Sequence, residues 1–291
     1  MKPNLIIIRY GEIGLKKNIT RRYFENTLVK NINFALQKQK IDFVIEQKRA
    51  RIYVNSDQTE ECLEVLTKIF GITSFSPAYK TGIDKRSLEN LALKLADNKI
   101  SKNTSFALKV NRTGSHDFTS QDIAVYLGNA IQTKTKAPVN LSNPDVKLFV
   151  EIINKESFFF FEKIQGIGGL PLGTQGRVLA YIDSKSSLLA AWYLMRRGCM
   201  PIFLVENKSF SSMVKNFTKK WYCNCYIGED NDLNFNDYSK QKKCDAIVTG
   251  YKSQDVKKIT NLTKKTQIPI LHPLIGLSDE EITKKIREVG L

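Results

Sequence analysis

The sequence predicts an α+β front half followed by an α/β domain on a parallel sheet, and three observations predict it. The first eighty residues order as strand, helix, strand, strand, helix, strand; a glycine-rich passage at 165–176 breaks every periodicity; and beyond it strands and helices alternate. At 291 residues the chain exceeds a typical single domain, so two or three units with their own cores are expected.

The opening strands are Leu5 to Tyr10, Phe43 to Gln47, Arg51 to Val54 and Thr73 to Tyr79, with helices over Arg21 to Gln37 and Glu60 to Phe70. This order fits a ferredoxin-like unit over residues 1–80. Tyr23, Phe24, Leu28, Ile32 and Leu36 recur at helical spacing and predict one core-facing stripe.

A second unit, 81–165, is expected to hold helix Leu88 to Ala96, strand Ser105 to Val110, loop Asn111 to Phe118 and a helix from Ser120 to Thr133, capped by Thr119 or Ser120. Strands near Val146 to Ile153 and Phe158 to Ile164 close it. The run Phe158 to Phe161 lacks alternation, which predicts a strand buried on both faces against helices rather than an RNA-stacking platform.

From residue 166 to 291 the pattern is strand Arg177 to Ile182, helix Ser186 to Arg197, strand Pro201 to Val205, helix Ser211 to Lys220, strand Ala246 to Thr249, then helices Asp255 to Thr266 and Ser278 to Val289. Such alternation implies a parallel sheet wrapped by helices.

Lys and Arg total 45 against 29 Asp and Glu, a formal charge of +16, and a field of that sign attracts polyanions, nucleic acid before membrane surfaces. The apolar run Leu5 to Ile8 is too short for a signal-peptide core or a span, so a cytoplasmic location is expected, without membrane association. Five unevenly spaced cysteines argue against a secreted disulfide framework. Cys223 and Cys225 form the only close pair; C-x-C alone is weak evidence for zinc or an iron–sulfur cluster, and no metal is expected.

The loop Asn111 to Phe118 sets Arg112 and His116 beside backbone donors at a strand-to-helix turn, a geometry suited to phosphate. His116 is equally readable as a solvated or backbone-capping histidine.

Read in order, YGEIGLK at 10–16, VNRTGSHDF at 110–118, LSNPDVKLFVEI at 141–152 and IQGIGGLPLGTQ at 164–175 resemble the tRNA 4-thiouridine synthetase family, as do LMRRGC at 194–199, AIVTG at 246–250 and PILHPLIGLSDEEI at 269–282. The resemblance covers nearly the whole chain. It implies a ferredoxin-like domain, a THUMP RNA-binding domain and an adenine nucleotide hydrolase-like PP-loop domain, with tRNA as the substrate held near its acceptor end. The RNA contacts expected are Lys16, Lys17, Arg21 and Arg22 from the first domain and Lys109, Arg112 and His116 from the second.

The departure falls at the chemical centre. The family's SGGxDS loop aligns with Ile182, Asp183, Ser184, Lys185, Ser186 and Ser187, so Ile182 replaces the first serine, Asp183 and Ser184 replace both glycines, and Ser186 stands at the aspartate. A Cβ at a point of close backbone approach obstructs phosphate, and a carboxylate at a helix amino terminus repels it. Asp183 or Ser184 then serves as the helix cap, although Lys185 and Ser186 could form an unfamiliar phosphate cradle. After Thr249 and Gly250 the chain reads YKSQDVKKITNL where the family carries longer glutamine-containing runs, and the stretch from Trp221 to Cys244 is short. The sequence given ends at Leu291, before the family's downstream cysteine-bearing segment, so no persulfide-carrying cysteine is expected on it.

Two functions follow. In the first the chain binds tRNA without independent catalysis, ATP is disfavoured as a cofactor, and the vestigial nucleotide loop serves as a scaffold beside an active tRNA-modifying subunit. In the second it is an ATP-dependent tRNA sulfurtransferase whose nucleotide site is unusual or completed by a partner.

Overall fold

A computed structural model describes residues 2–48, 51–229 and 234–291. In the front half, β1 (Leu5–Arg9) leads through a 3-10 turn (Glu12–Leu15) into α1 (Asn18–Lys38), then β2 (Val44–Lys48), β3 (Arg51–Asn55), α2 (Thr59–Leu66) and β4 (Ser74–Thr81). Next come α3 (Lys85–Ala96), β5 (Phe106–Thr113), α4 (Ser120–Thr135), β6 (Val146–Ile153), β7 (Glu156–Phe160) and the short β8 (Ile164–Gln165). The back half holds β9 (Arg177–Ile182), α5 (Lys185–Arg196), β10 (Met200–Val205), α6 (Ser211–Lys220), β11 (Ile227–Glu229), α7 (Phe235–Lys242), β12 (Ala246–Val248), α8 (Val256–Lys265), β13 (Ile270–Leu271) and α9 (Asp279–Val289).

The chain divides into two interleaved compact units, the first made of residues 1–8, 42–63 and 74–165, the second of 9–41, 64–73 and 166–291. The first is built on an eight-stranded sheet of order β2-β3-β1-β4-β7-β6-β5, with β8 beside β4. Its β2-β3-β1-β4 portion has the ferredoxin-like strand order expected, and β5 runs parallel to β6. Thr119 is the N-cap of α4 and, with Asp122, closes a reciprocal capping box, which settles the choice between Thr119 and Ser120.

The phenylalanine strand is buried on both faces, but helices cover only one. Phe159 joins Leu88, Leu91, Leu127 and Ile131 of α3 and α4. Phe158 and Phe160 lie instead with Leu5, Ile7, Tyr53 and Ala78 of the same sheet, and Phe158 stacks on Tyr53 at 5.1 Å between ring centroids. Strand neighbours supply the apolar cover that helices were expected to give, and Phe158 to Phe160 are closed to nucleic acid bases.

In the second unit, β11-β10-β9-β12-β13 form a wholly parallel sheet. One core joins Val178, Ala180, Ile182, Leu188, Trp192 and Phe203 to Ile282 and Val289, and another lies around Leu179, Leu204, Phe235 and Ile247. Residues 64–73 contribute Phe70, whose ring meets Trp192 at 5.9 Å and Trp221 at 5.5 Å. On α1, Phe24, Leu28, Ile32 and Leu36 are buried as the stripe predicts, whereas Tyr23 is 52% exposed. Its hydroxyl donates to the Gly173 carbonyl at 3.3 Å, so the ring follows a polar partner out of the stripe.

Candidate functional site

β9 starts the sheet at its centre; the chain then adds β10 and β11 on one side and β12 and β13 on the other. The crevice outside the carboxyl ends of β9 and β12 is therefore a topological switch point, the place where open parallel sheets bind ligands. Residues 183–187 and 249–251 meet there.

Ile182 ends β9, and its carbonyl accepts the Glu206 amide at 2.9 Å. Ser184 caps α5, accepting the Ser187 amide on its Oγ at 3.3 Å. Ser187 answers by accepting the amides of Asp183 and Ser184 on its own Oγ, both at 3.1 Å, while donating to the Ser184 carbonyl at 2.6 Å. Three of the amides an anion would use are thus satisfied by the loop itself. Among the described residues those of Lys185 and Ser186 are left.

The Asp183 side chain is only 9% exposed; it accepts from Ser184 Oγ at 2.9 Å and lies 3.6 Å from Lys258 Nζ. Its charge is held by two partners of this chain, at the mouth of the helix that would otherwise attract phosphate. Gly250 lies against the same turn: a Cβ there would sit 2.4 Å from the Ser187 nitrogen, so β12 and α5 meet backbone to backbone.

Three residues at the crevice were not expected from the sequence. His272, just after β13, has its Nδ1 2.7 Å from Thr249 Oγ1 and its ring stacked on Tyr251. Lys258 covers the Tyr251 ring at 5.5 Å from its centroid. Burial lowers the His272 pKa and favours the neutral ring. β13 is two residues long, too short for periodicity to reveal, so the ring that follows it carried no signal beyond its place in PILHPLIG.

The residues expected to contact RNA fall into two groups. In the second unit Lys16 ends the 3-10 turn, Lys17 is the N-cap of α1, and Arg21 and Arg22 follow in the first turns of that helix. Arg21 turns back to the Lys16 carbonyl at 3.1 Å and Lys16 covers the Phe24 ring at 5.7 Å, while Lys17 and Arg22 stand exposed. In the first unit Lys109 and Arg112 lie on β5, which extends through Thr113 and shortens the expected loop. His116 Nε2 donates to the Asn154 carbonyl at 2.6 Å, leaving Nδ1 as acceptor toward Arg112 Nη1 at 3.4 Å, and the ring tilts onto Phe118. His116 is therefore the clamp that holds the turn. Gly114, at φ +109°, completes it where a side chain would strike Asn154.

Cys223 is buried and Cys225 exposed. Among the described residues no three metal-ligating side chains converge. Among the described residues no helix is long and apolar enough to cross a membrane. Part of the short stretch between Trp221 and Cys244, residues 230–233, lies outside the described residues.

Comparison with known proteins agrees with this architecture. Residues 5–76 match the ThiI ferredoxin-like domain, 84–162 the THUMP domain, and 234–291 the ThiI family described as thiamine biosynthesis protein. A probable tRNA sulfurtransferase of Methanobrevibacter smithii is 35% identical over the whole chain and 87% of its own length, and one of Methanocaldococcus jannaschii is 33% identical over 98% and 87%. The first alignment runs over 337 positions, so at least 46 of them have no counterpart among the 291 residues here. Among solved structures, PH1313 of Pyrococcus horikoshii superposes with a TM-score of 0.87 at 28% identity, covering 99% of this chain and all of that one. A 4-thiouridine synthetase solved with RNA and bound ATP gives 0.82 at 20% identity, covering 99% and 85%, and shares the fold. The chain belongs to the tRNA sulfurtransferase family.

Proposed function

We propose that this chain binds tRNA and serves tRNA modification as a binding or accessory factor in the cytoplasm, without carrying ATP-dependent thiolation on its own. The domain division that goes with it is a ferredoxin-like domain at 1–80, a THUMP domain at 81–165 and a PP-loop domain at 166–291. The observation that carries the reading is the loop from Asp183 to Ser187. Its amides close on the chain's own hydroxyls, and a carboxylate stands at the helix mouth where pyrophosphate would have to sit. The residues missing relative to the curated relatives support the same reading, and an active tRNA-modifying subunit would then supply the chemistry.

A second reading rests on the amides of Lys185 and Ser186 and on the ammonium of Lys258, which together could receive a phosphate in a site completed by a partner. Equilibrium binding of ATP to the full chain separates the two, followed by pyrophosphate release with tRNA and a persulfide donor present. No ATP binding below the millimolar range is expected. Micromolar binding with tRNA-stimulated pyrophosphate release would overturn the first reading and establish the second.

A further inference from the structure

A cavity of about 320 Å³ lies in the second unit at the carboxyl end of α5, the opposite end of the helix from the loop that begins it. Tyr193, Arg196 and Arg197 line it, with Glu12, Gly169 and Pro273 completing the wall. Its size falls at the lower end of small-ligand sites.

The cavity is rigidly built. The Arg196 carbonyl accepts the Leu170 amide at 3.0 Å, and a Cβ on Gly169 would come within 2.1 Å of that carbonyl, so the glycine passage and the helix end are locked in contact. Trp192 supports both active faces: its ring carries the Arg196 guanidinium at 5.9 Å and meets the edge of Tyr193 at 5.5 Å. Among the described residues neither arginine makes an ion pair, and both are exposed.

Two guanidiniums beside an aromatic ring are the equipment for an unstacked nucleotide: the fork takes the phosphate and the ring takes the base. Glu12 adds a carboxylate, which accepts from an exocyclic amino group, whereas uracil offers it only an N3–H flanked by two carbonyl oxygens that it repels. We infer that this cavity binds one nucleotide of single-stranded RNA with an amino-bearing base, its phosphate on Arg196 and Arg197, its base on Tyr193 and its amino group on Glu12. The inference rests on the tRNA-binding reading and adds to it a specific pocket.

The test uses the full chain with fluorescein-labelled octacytidylate and octauridylate as probes. Octacytidylate is expected to bind at least tenfold tighter than octauridylate. The double variant Arg196→Ala/Arg197→Ala should lose about tenfold in affinity for octacytidylate and lower the salt slope by about one to two phosphate contacts. Glu12→Gln, whose amide can donate to uracil, should narrow the cytidylate-over-uridylate ratio while retaining affinity. Equal binding of octacytidylate and octauridylate overturns the inference, as does an affinity unchanged in the double variant at an unshifted melting temperature. Loss of tRNA binding in Lys17→Ala and Arg112→Ala variants that keep the oligonucleotide preference would support both sites. Retained tRNA binding in those variants, with the oligonucleotide preference intact, would remove the proposed basic contacts and leave this pocket standing.

Discussion

The imidazole of His272 and the hydroxyl of Thr249 meet at 2.7 Å, tying together the residues that follow two neighbouring strands at the crevice. Thr249 Oγ1 also accepts the Tyr251 amide at 3.3 Å, which leaves its own proton available to His272 Nδ1, an arrangement that favours the neutral ring. Burial acts in the same direction, lowering the pKa from its ordinary 6.5.

A pH dependence follows. A histidine whose folded pKa is depressed binds its proton first in the unfolded chain, so stability is at its plateau above about 6.5 and falls as the pH drops from there through the folded value. Melting temperature should decline between pH 7 and pH 5, and His272→Gln should flatten that decline. Parallel curves for the two proteins would show that His272 is not the titrating group.

Ser187 and Ser184 should differ under substitution although they cap the same helix. Ser184→Ala removes one cap acceptor, at a cost of about 1 kcal/mol. Ser187→Ala leaves the amides of Asp183 and Ser184 without their acceptor, and each orphaned donor costs roughly 1 to 3 kcal/mol. Urea unfolding should therefore rank Ser187→Ala clearly below Ser184→Ala. The reverse order would mean that water replaces the Ser187 hydroxyl without loss.

Arg112 and His116 share a turn but should separate by assay. Arg112 is held by two long contacts of 3.4 Å, so Arg112→Ala should keep the fold, weaken tRNA binding severalfold, and reduce the salt slope by about 0.7 to 0.9. His116→Ala breaks the 2.6 Å bond to Asn154 and should weaken binding by loosening the turn, with little change in slope. An unchanged salt slope in Arg112→Ala would exclude a phosphate contact there.

Legibility in the sequence followed the physics of each element. Long periodic segments such as α1 and α9, and strands bounded by turn residues such as β9, were readable because their apolar spacing repeats several times. α7 was not, since Phe235 and Ser239 are its only buried positions in a polar stretch. Asp183 to Ser187 could be placed because neighbouring motifs fixed the alignment, yet the exchange of bonds between Ser184 and Ser187 required coordinates. Tyr251, Lys258 and His272 converge from three segments separated in the chain, and no local pattern announces such a meeting.

The interleaving of the two units also bears on the order in which the chain leaves the ribosome. α1 emerges early, but residues 9–41 belong with 166–291, and Asn31 and Tyr23 bond to Leu172 and Gly173 roughly 140 to 150 positions later. Until those partners are translated Tyr23 and Asn31 lack these bonds, and the ring of Phe70 waits likewise for Trp192 and Trp221. Such long-range closure slows folding and leaves the nascent chain exposed to aggregation. A fragment that starts at residue 166 lacks Phe70, so the parallel-sheet unit expressed that way is missing a ring that synthesis had already delivered to its core.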